Sequence, residues 1–220
     1  MKNESPSFSS NEKKSALKHS EKKESNTELF QNYGRYRWFY THSGKFVYGG
    51  KSAEQNDEVV RKLIKDKKNY IMMHTKIPGS PFAVILEPMG HVTIEDMEQT
   101  AIWTACFSRA WRSNLNKTVV DIFLTEQLEK KSGMNMGTFG VIGKIDRMPV
   151  DLKLVLTEQH GILRAVPEKS VKGKKLLKIV PGDIQKDKFV DQIIKSLKLK
   201  DSQKDELLNA LPTGGFRIVK

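Results

Sequence analysis

Thiol chemistry is nearly absent from this chain. Cys106 is the one cysteine in 220 residues, which excludes an internal disulfide and every zinc site that needs two thiolates. Histidine does not make up the deficit. His19, His42, His74, His91 and His160 are scattered, with no HExxH or HxxxH spacing to set two imidazoles on one helical face, so neither a metal nor a cofactor is expected. Long apolar runs are also missing. None exceeds Phe82–Leu86, and the opening residues hold no uninterrupted hydrophobic stretch, which predicts no export, no membrane span and a cytoplasmic location. No internal repeat is visible.

Acid is in deficit, and this absence points to a partner. The chain has 38 Lys+Arg against 26 Asp+Glu, a formal charge of +12, and such a surplus favours polyanions. Residues 1–29 hold 6 lysines and 5 acids, so they contribute +1 and the other 191 residues carry +11. Rich in Ser, Lys, Glu and Asn, this stretch is expected to be a disordered arm, because it buries too little apolar surface to offset its ordering entropy.

Beyond the arm, aromatic and polar residues alternate around Thr41-His42-Ser43-Gly44, which predicts a β-hairpin with glycine closing its loop. Ser52 with Gln55 then forms a capping box ahead of Val59, Val60, Leu63 and Ile64, predicting a helix to about Asp66. Within it, Asp57–Arg61 and Glu58–Lys62 read as i,i+4 surface pairs. "NYIMMHT" and "PFAVILE" read as strands joined by a loop over 76–80. Thr93 caps a second helix that runs to about Arg112, with Trp103, Phe107 and Trp111 on one stripe and Ala101, Ala105 and Ser108 on the next.

"TVVDIFL", "GTFGVIG", "LKLVL" and "GILRAV" bring the expected strands to seven or eight. Pro181-Gly182 reads as a turn, followed by an amphipathic helix with Phe189, Val190, Ile193, Ile194 and Leu197 on one stripe and a last short helix stopped by Pro212 and Gly214. The fold class is α+β: a mostly antiparallel sheet with two main helices packed on it, and a small C-terminal helical subdomain. The expected boundaries are 1–29 for the arm, 30–170 for the main domain and 171–220 for a C-terminal extension.

The string GGKS at 49–52 invites a P-loop reading, and its spacing refuses one. The Walker pattern needs a glycine five residues before Gly50, but Lys45 stands there and Gly44 is one residue too early. Two weaker readings remain. Gly49, Gly50 and Ser52 form either a stabilising strand-to-helix turn or an anion-receptive helix start.

The blocks "YRWFYTHSGKFVYGGKSAEQNDEVVRKLI", "MMHTKIPGSPFAVI", "ACFSRAW" and "GTFGVIGK", in that order between Tyr36 and Lys144, resemble the NFACT-R domain. That family sits near the C-terminus of ribosome quality-control factors that engage tRNA and the large ribosomal subunit. The resemblance implies RNA binding without an established catalytic step. Carried over by position, it points first to Trp38, Gly49, Gly50, Lys51, Gln55 and Asn56. It then points to His74, Gly79, Ser80, Ser108, Arg109 and Trp111, and finally to Gly143 and Lys144. Where many members have His-Ala-Asp, this chain has His74-Thr75-Lys76, which removes a family aspartate and adds positive charge.

The residue chemistry supplies its own reading. Gln55 and Asn56 offer amides to a base edge or 2′-hydroxyl, or they cap the helix locally. His74 either stacks on a base or contacts a phosphate, or it is satisfied by backbone. Arg35, Arg37, Lys45, Lys51 and Lys76, with Arg109, Arg112, Lys130, Lys131 and Lys144, are candidate phosphate contacts. The expected partners are therefore RNA, as tRNA or rRNA, and the large ribosomal subunit, with no membrane. The alternative is a hydrolase or transferase in which His74 acts as general base near Ser80. A third reading seats the helix near Lys186–Lys200 on an anionic membrane or a partner helix, against the commoner outcome of core packing.

Overall fold

The computed structural model describes residues 33–219, so the expected arm lies outside the described residues. Tyr36–Lys220 is a single compact unit. The predicted hairpin is present: β1 (Arg37–Tyr40) pairs antiparallel with β2 (Phe46–Gly49), Trp38 opposite Tyr48 and Phe39 opposite Val47. Its loop closes where the Thr41 amide donates to the Lys45 carbonyl at 3.0 Å, and Gly44 supplies the φ of +90° that the turn requires.

Helix α1 (Ala53–Asp66) begins where the sequence places it. Ser52, in extended conformation, accepts the Gln55 amide at 3.3 Å, and the Gln55 side chain accepts the Lys51 amide at 2.9 Å. Val59, Val60 and Leu63 face inward. β3 (Ile71–Thr75) and β4 (Ala83–Ile85) follow as an antiparallel pair.

The second predicted helix is two helices. α2 (Ile94–Cys106) starts with a capping box between Thr93 and Asp96, but it stops at Phe107, and α3 (Arg109–Arg112) restarts on a new cap. Ser108 causes the break: its hydroxyl donates to the Ala105 carbonyl at 2.6 Å and accepts the Ala110 amide at 3.1 Å, replacing a helical step by a local cap. Trp103 and Trp111 are both buried, yet they serve different parts of the core. Trp103 packs on Phe39 at 5.1 Å between centroids, and Trp111 packs on Phe216 at 5.6 Å.

The described residues form twelve strands, not the seven or eight expected. They continue with β5 (Lys117–Leu124), β6 (Leu128–Glu129), β7 (Gly140–Val141), β8 (Asp146–Asp151), β9 (Leu154–Gln159) and β10 (Ile162–Val166), then β11 (Leu177–Ile184) and β12 (Phe216–Val219). A six-stranded sheet has the order β1-β2-β4-β3-β5-β8, a four-stranded sheet the order β10-β9-β11-β12, and β6 pairs with β7 as a ribbon. Every pairing is antiparallel, and the fold class is α+β.

β8, "DRMPVD", reads as loop because it carries three charges and Pro149. As an edge strand it needs hydrogen bonds on one side only, towards β5, so proline is tolerated. Pro181-Gly182 is likewise not a turn. It lies inside β11, where the register shifts against β12 between Pro181 and Ile184.

The four-stranded sheet takes β9 and β10 from before residue 170 and β11 and β12 from after it. α4 (Lys186–Leu197) turns Phe189, Val190 and Ile193 into its core, with Phe189 stacked on Phe216 at 4.6 Å, and α5 (Lys204–Ala210) packs beside it against β10. Core packing is thus the outcome for α4. The Trp111 indole N–H donates to the Gly215 carbonyl at 2.9 Å, tying α3 to the segment that feeds β12. Among the described residues no helix is long and apolar enough to cross a membrane, and no group of three His, Cys, Asp or Glu side chains is placed to hold a metal.

Candidate nucleic-acid interface

A cleft of about 610 Å³ opens where the start of α1, the β3–β4 loop and the 137–141 segment meet. Its floor follows from local geometry. Gly79, at φ +112°, leaves room for the Arg109 side chain, which a Cβ there would meet at 2.6 Å, and its carbonyl accepts the Arg109 amide at 3.1 Å. Gly50 allows the first turn of α1 to fold back: an added Cβ would collide with Asn56. The Glu54 carboxylate accepts hydrogen bonds from Ser52 and from its own amide at the start of α1, and Ser52 and Ala53 line the cleft.

The structure brings nine of the predicted residues to this cleft: Arg37, Gly50 and Lys51, then Asn56, His74 and Lys76, then Gly79, Ser80 and Arg109. It leaves the others outside the lining. Trp38 points to the opposite face of β1, 2% exposed beneath the Arg164 guanidinium at 3.8 Å. Gly49 is buried against Pro81, Gln55 caps the helix, and Ser108 caps α3. Arg112 is exposed at the end of α3, and Trp111 is 0% exposed. Lys45 pairs with Glu87 at 3.2 Å, and Lys144, 88% exposed, pairs with Asp146 at 3.3 Å beside Gly143.

Two roles read from sequence change in the fold. Asn56 spends its amide on structure, donating to the Ser80 carbonyl at 3.2 Å and accepting the Phe82 amide at 3.1 Å, so it ties α1 to the β3–β4 loop. Asp57 is not merely an i,i+4 partner of Arg61. Its carboxylate also accepts from Lys130 Nζ at 2.8 Å and from the Gly137 amide at 3.1 Å. Lys130 in turn donates to the Asn135 and Thr138 carbonyls and sits over the Phe139 ring at 4.4 Å. The 130–139 loop is thereby clamped to α1, and Phe139 becomes a wall of the cleft.

The hydrogen bonds from Lys130 and Arg61 hold the Asp57 carboxyl well below the usual carboxylate range. The ionised form is therefore favoured on folding, and its stabilisation is complete above the unfolded pKa of about 4 and is lost progressively as pH falls from there through the lower folded pKa. Asp57→Asn should lower Tm at pH 7. That difference should be constant above about pH 5 and shrink progressively as the pH falls below about 4 towards the much lower folded pKa, as followed in paired thermal melts, and a pH-independent difference would contradict the clamp.

Electrostatics separates the cations. Arg37, Lys51, Lys76 and Arg109 form no ion pair with a carboxylate among the described residues, whereas Lys45, Lys130, Lys131 and Lys144 each do. Burial lowers the Arg37 guanidinium to about 10, so it stays charged at neutral pH. Partial desolvation and the Arg37 and Arg164 guanidiniums lower the Lys51 ammonium. Burial and Arg37 bring Lys186 down to about 8. Like charges that form no ion pair of their own are a receptive site for an anion, and the one acid lining the cleft, Asp121, is paired with Arg147. Arg164 and Lys186, contributed by the second sheet and α4, were invisible to sequence reasoning, because only the fold brings them towards Arg37 and Lys51.

His74 stacks on Phe82 at 4.5 Å, and Phe82 meets Phe139 edge-on at 5.5 Å. Its Nδ1 lies 2.8 Å from the Thr75 carbonyl, an acceptor only, so in the neutral ring Nδ1 carries the proton and Nε2 is an acceptor. Burial pushes the imidazole below its ordinary value, opposed by the Thr75 carbonyl and Asp121. The hydrolase reading gains no support here. Among the described residues no hydrogen bond joins the His74 ring to the Ser80 hydroxyl, which instead accepts the Thr75 amide at 2.9 Å.

Comparison with known proteins finds similar chains. Residues 35–143 match the family described as NFACT protein RNA binding domain. The archaeal Rqc2 homolog aRqcH of Methanocaldococcus jannaschii is 29% identical over 202 residues, 86% of this chain and 29% of that protein. The chain thus spans under a third of that relative's length. The C-terminal part of the fibronectin/fibrinogen-binding protein from Streptococcus suis is 27% identical, covering 53% of this chain and 44% of that one, with a TM-score of 0.45. Residues 35–143, which span the hairpin, α1 and the cleft floor, match the NFACT-R family of RNA-binding domains.

Proposed function

We propose that the chain binds tRNA or rRNA through this cleft, without a catalytic step, in a ribosome-associated quality-control role. One observation carries the reading: Arg37, Lys51, Lys76 and Arg109 converge without ion-pair partners among the described residues near the start of α1, beside a wall of aromatic rings. Phosphates suit the cations, and unpaired bases suit the rings. The ribosomal part of the proposal rests on the family resemblance and on the likeness to the archaeal Rqc2 homolog.

Salt titration tests it. The ten cations named from sequence would neutralise six to ten phosphates and lose about 10³–10⁵-fold in affinity between roughly 50 and 200 mM salt. Four cleft cations predict a gentler dependence, a log–log slope near −3 for single strands and a loss of about 50-fold over the same range. Anisotropy with a labelled RNA oligonucleotide measures this, and a flat response would refute the proposal.

A further inference from the structure

Resting on the reading above, the geometry points to a more specific ligand: we infer that the cleft takes an unpaired stretch of one or two ribonucleotides, with a ribose 2′-hydroxyl donated to His74 Nε2. Size comes first. A volume of about 610 Å³ falls among pockets that enclose drug-sized molecules of roughly 300–1,000 Å³. One or two nucleotides fit such a space, and a double helix does not enter it.

The chemistry of the walls agrees. The His74 ring packs on Phe82, and His74, Phe82 and the half-buried Phe139 all line the cleft. Across the opening the Arg37 guanidinium lies over Phe107 at 4.8 Å. Unstacked bases pack on aromatic and guanidinium planes of this kind, whereas a base inside a duplex has no free face.

Hydrogen-bond polarity singles out the ribose. Lys51, Lys76, Arg37 and Arg109 are all donors, suited to phosphate oxygens. The Asp121 carboxylate, which also reaches the cleft, is engaged by Arg147 at 3.1 Å. Beside the remaining Asp121 oxygen and the lining hydroxyls, His74 Nε2 is a neutral acceptor whose ring is already oriented by Thr75. His74 lies between the cationic 76–80 loop and the Phe82–Phe139 wall, the place a sugar takes when its phosphate is held on one side and its base on the other. A 2′-hydroxyl completes that acceptor and deoxyribose cannot.

The test uses the whole chain with three probes of one sequence: a single-stranded RNA, its DNA counterpart, and the RNA in a blunt duplex. Anisotropy should show the single-stranded RNA bound more tightly than DNA by about five- to tenfold, the ratio one neutral hydrogen bond supplies, and more tightly than the duplex. His74→Phe should narrow the RNA-to-DNA ratio to about one, and His74→Gln, which restores an acceptor, should recover part of it. Equal binding of duplex and single strand, or a His74→Phe variant that keeps the ratio, overturns this inference and leaves RNA binding standing. Absence of salt-dependent binding to any probe overturns both.

Discussion

Replacing Lys51 and Arg109 together by alanine should weaken binding of single-stranded RNA about 100-fold at low salt, since each charge-assisted contact is worth on the order of tenfold or more. Both side chains line the cleft, and both lack a carboxylate partner among the described residues. Their removal therefore breaks no ion pair in the folded protein, and the loss falls on the ligand. Two phosphate contacts fewer should also flatten the log–log salt slope by about 1.4. The control is Lys131→Ala with Lys144→Ala, the same charge change made at two residues already paired with Glu129 and Asp146 outside the cleft. If both pairs of substitutions weaken binding alike, the protein responds to net charge and the cleft is not the site.

Trp111→Ala should have the largest effect on stability, about 3–5 kcal/mol for the loss of a buried tryptophan. For a unit of this size that corresponds to a fall in Tm of roughly 10 °C or more. The indole is 0% exposed, packs on Phe216, and bonds the Gly215 carbonyl. Family resemblance places Trp111 among RNA-binding positions, whereas its burial assigns it to the junction of α3 with the second sheet. The two roles separate cleanly. A packing residue loses Tm and keeps its RNA affinity within about twofold when measured cold, well below the transition; a binding residue does the opposite. Thermal melts followed by circular dichroism, with anisotropy at 5–10 °C, decide between them.

Much of the main domain was legible from local signals. The Ser52 and Thr93 caps and the inward stripe of α1 need only neighbours within four residues, the range over which caps and helical periodicity operate, and the hairpin pairs residues no more than twelve apart. Failures came where distant strands decided. β8 and the bulged centre of β11 carry proline and polar residues that read as loop, and only their partners β5 and β12 make them strands. Ser108 was misread on a similar ground. Its hydroxyl fits a small-residue stripe as well as a cap, and the chain direction after Phe107 made it the latter.

The amino-acid order alone determined the cationic surplus, the helix starts, the α+β class and the family resemblance, because composition, capping and motif spacing are properties of the chain whatever its partners. Which charges remain available was settled only in three dimensions. Lys130 meets Asp57 across 73 positions and Lys169 meets Glu98 across 71, while Arg37, Lys51, Lys76 and Arg109 come together without forming an ion pair among the described residues. Coulomb interactions fall off with distance in space and take no account of separation along the chain, so a sequence can count its lysines without telling which are already neutralised.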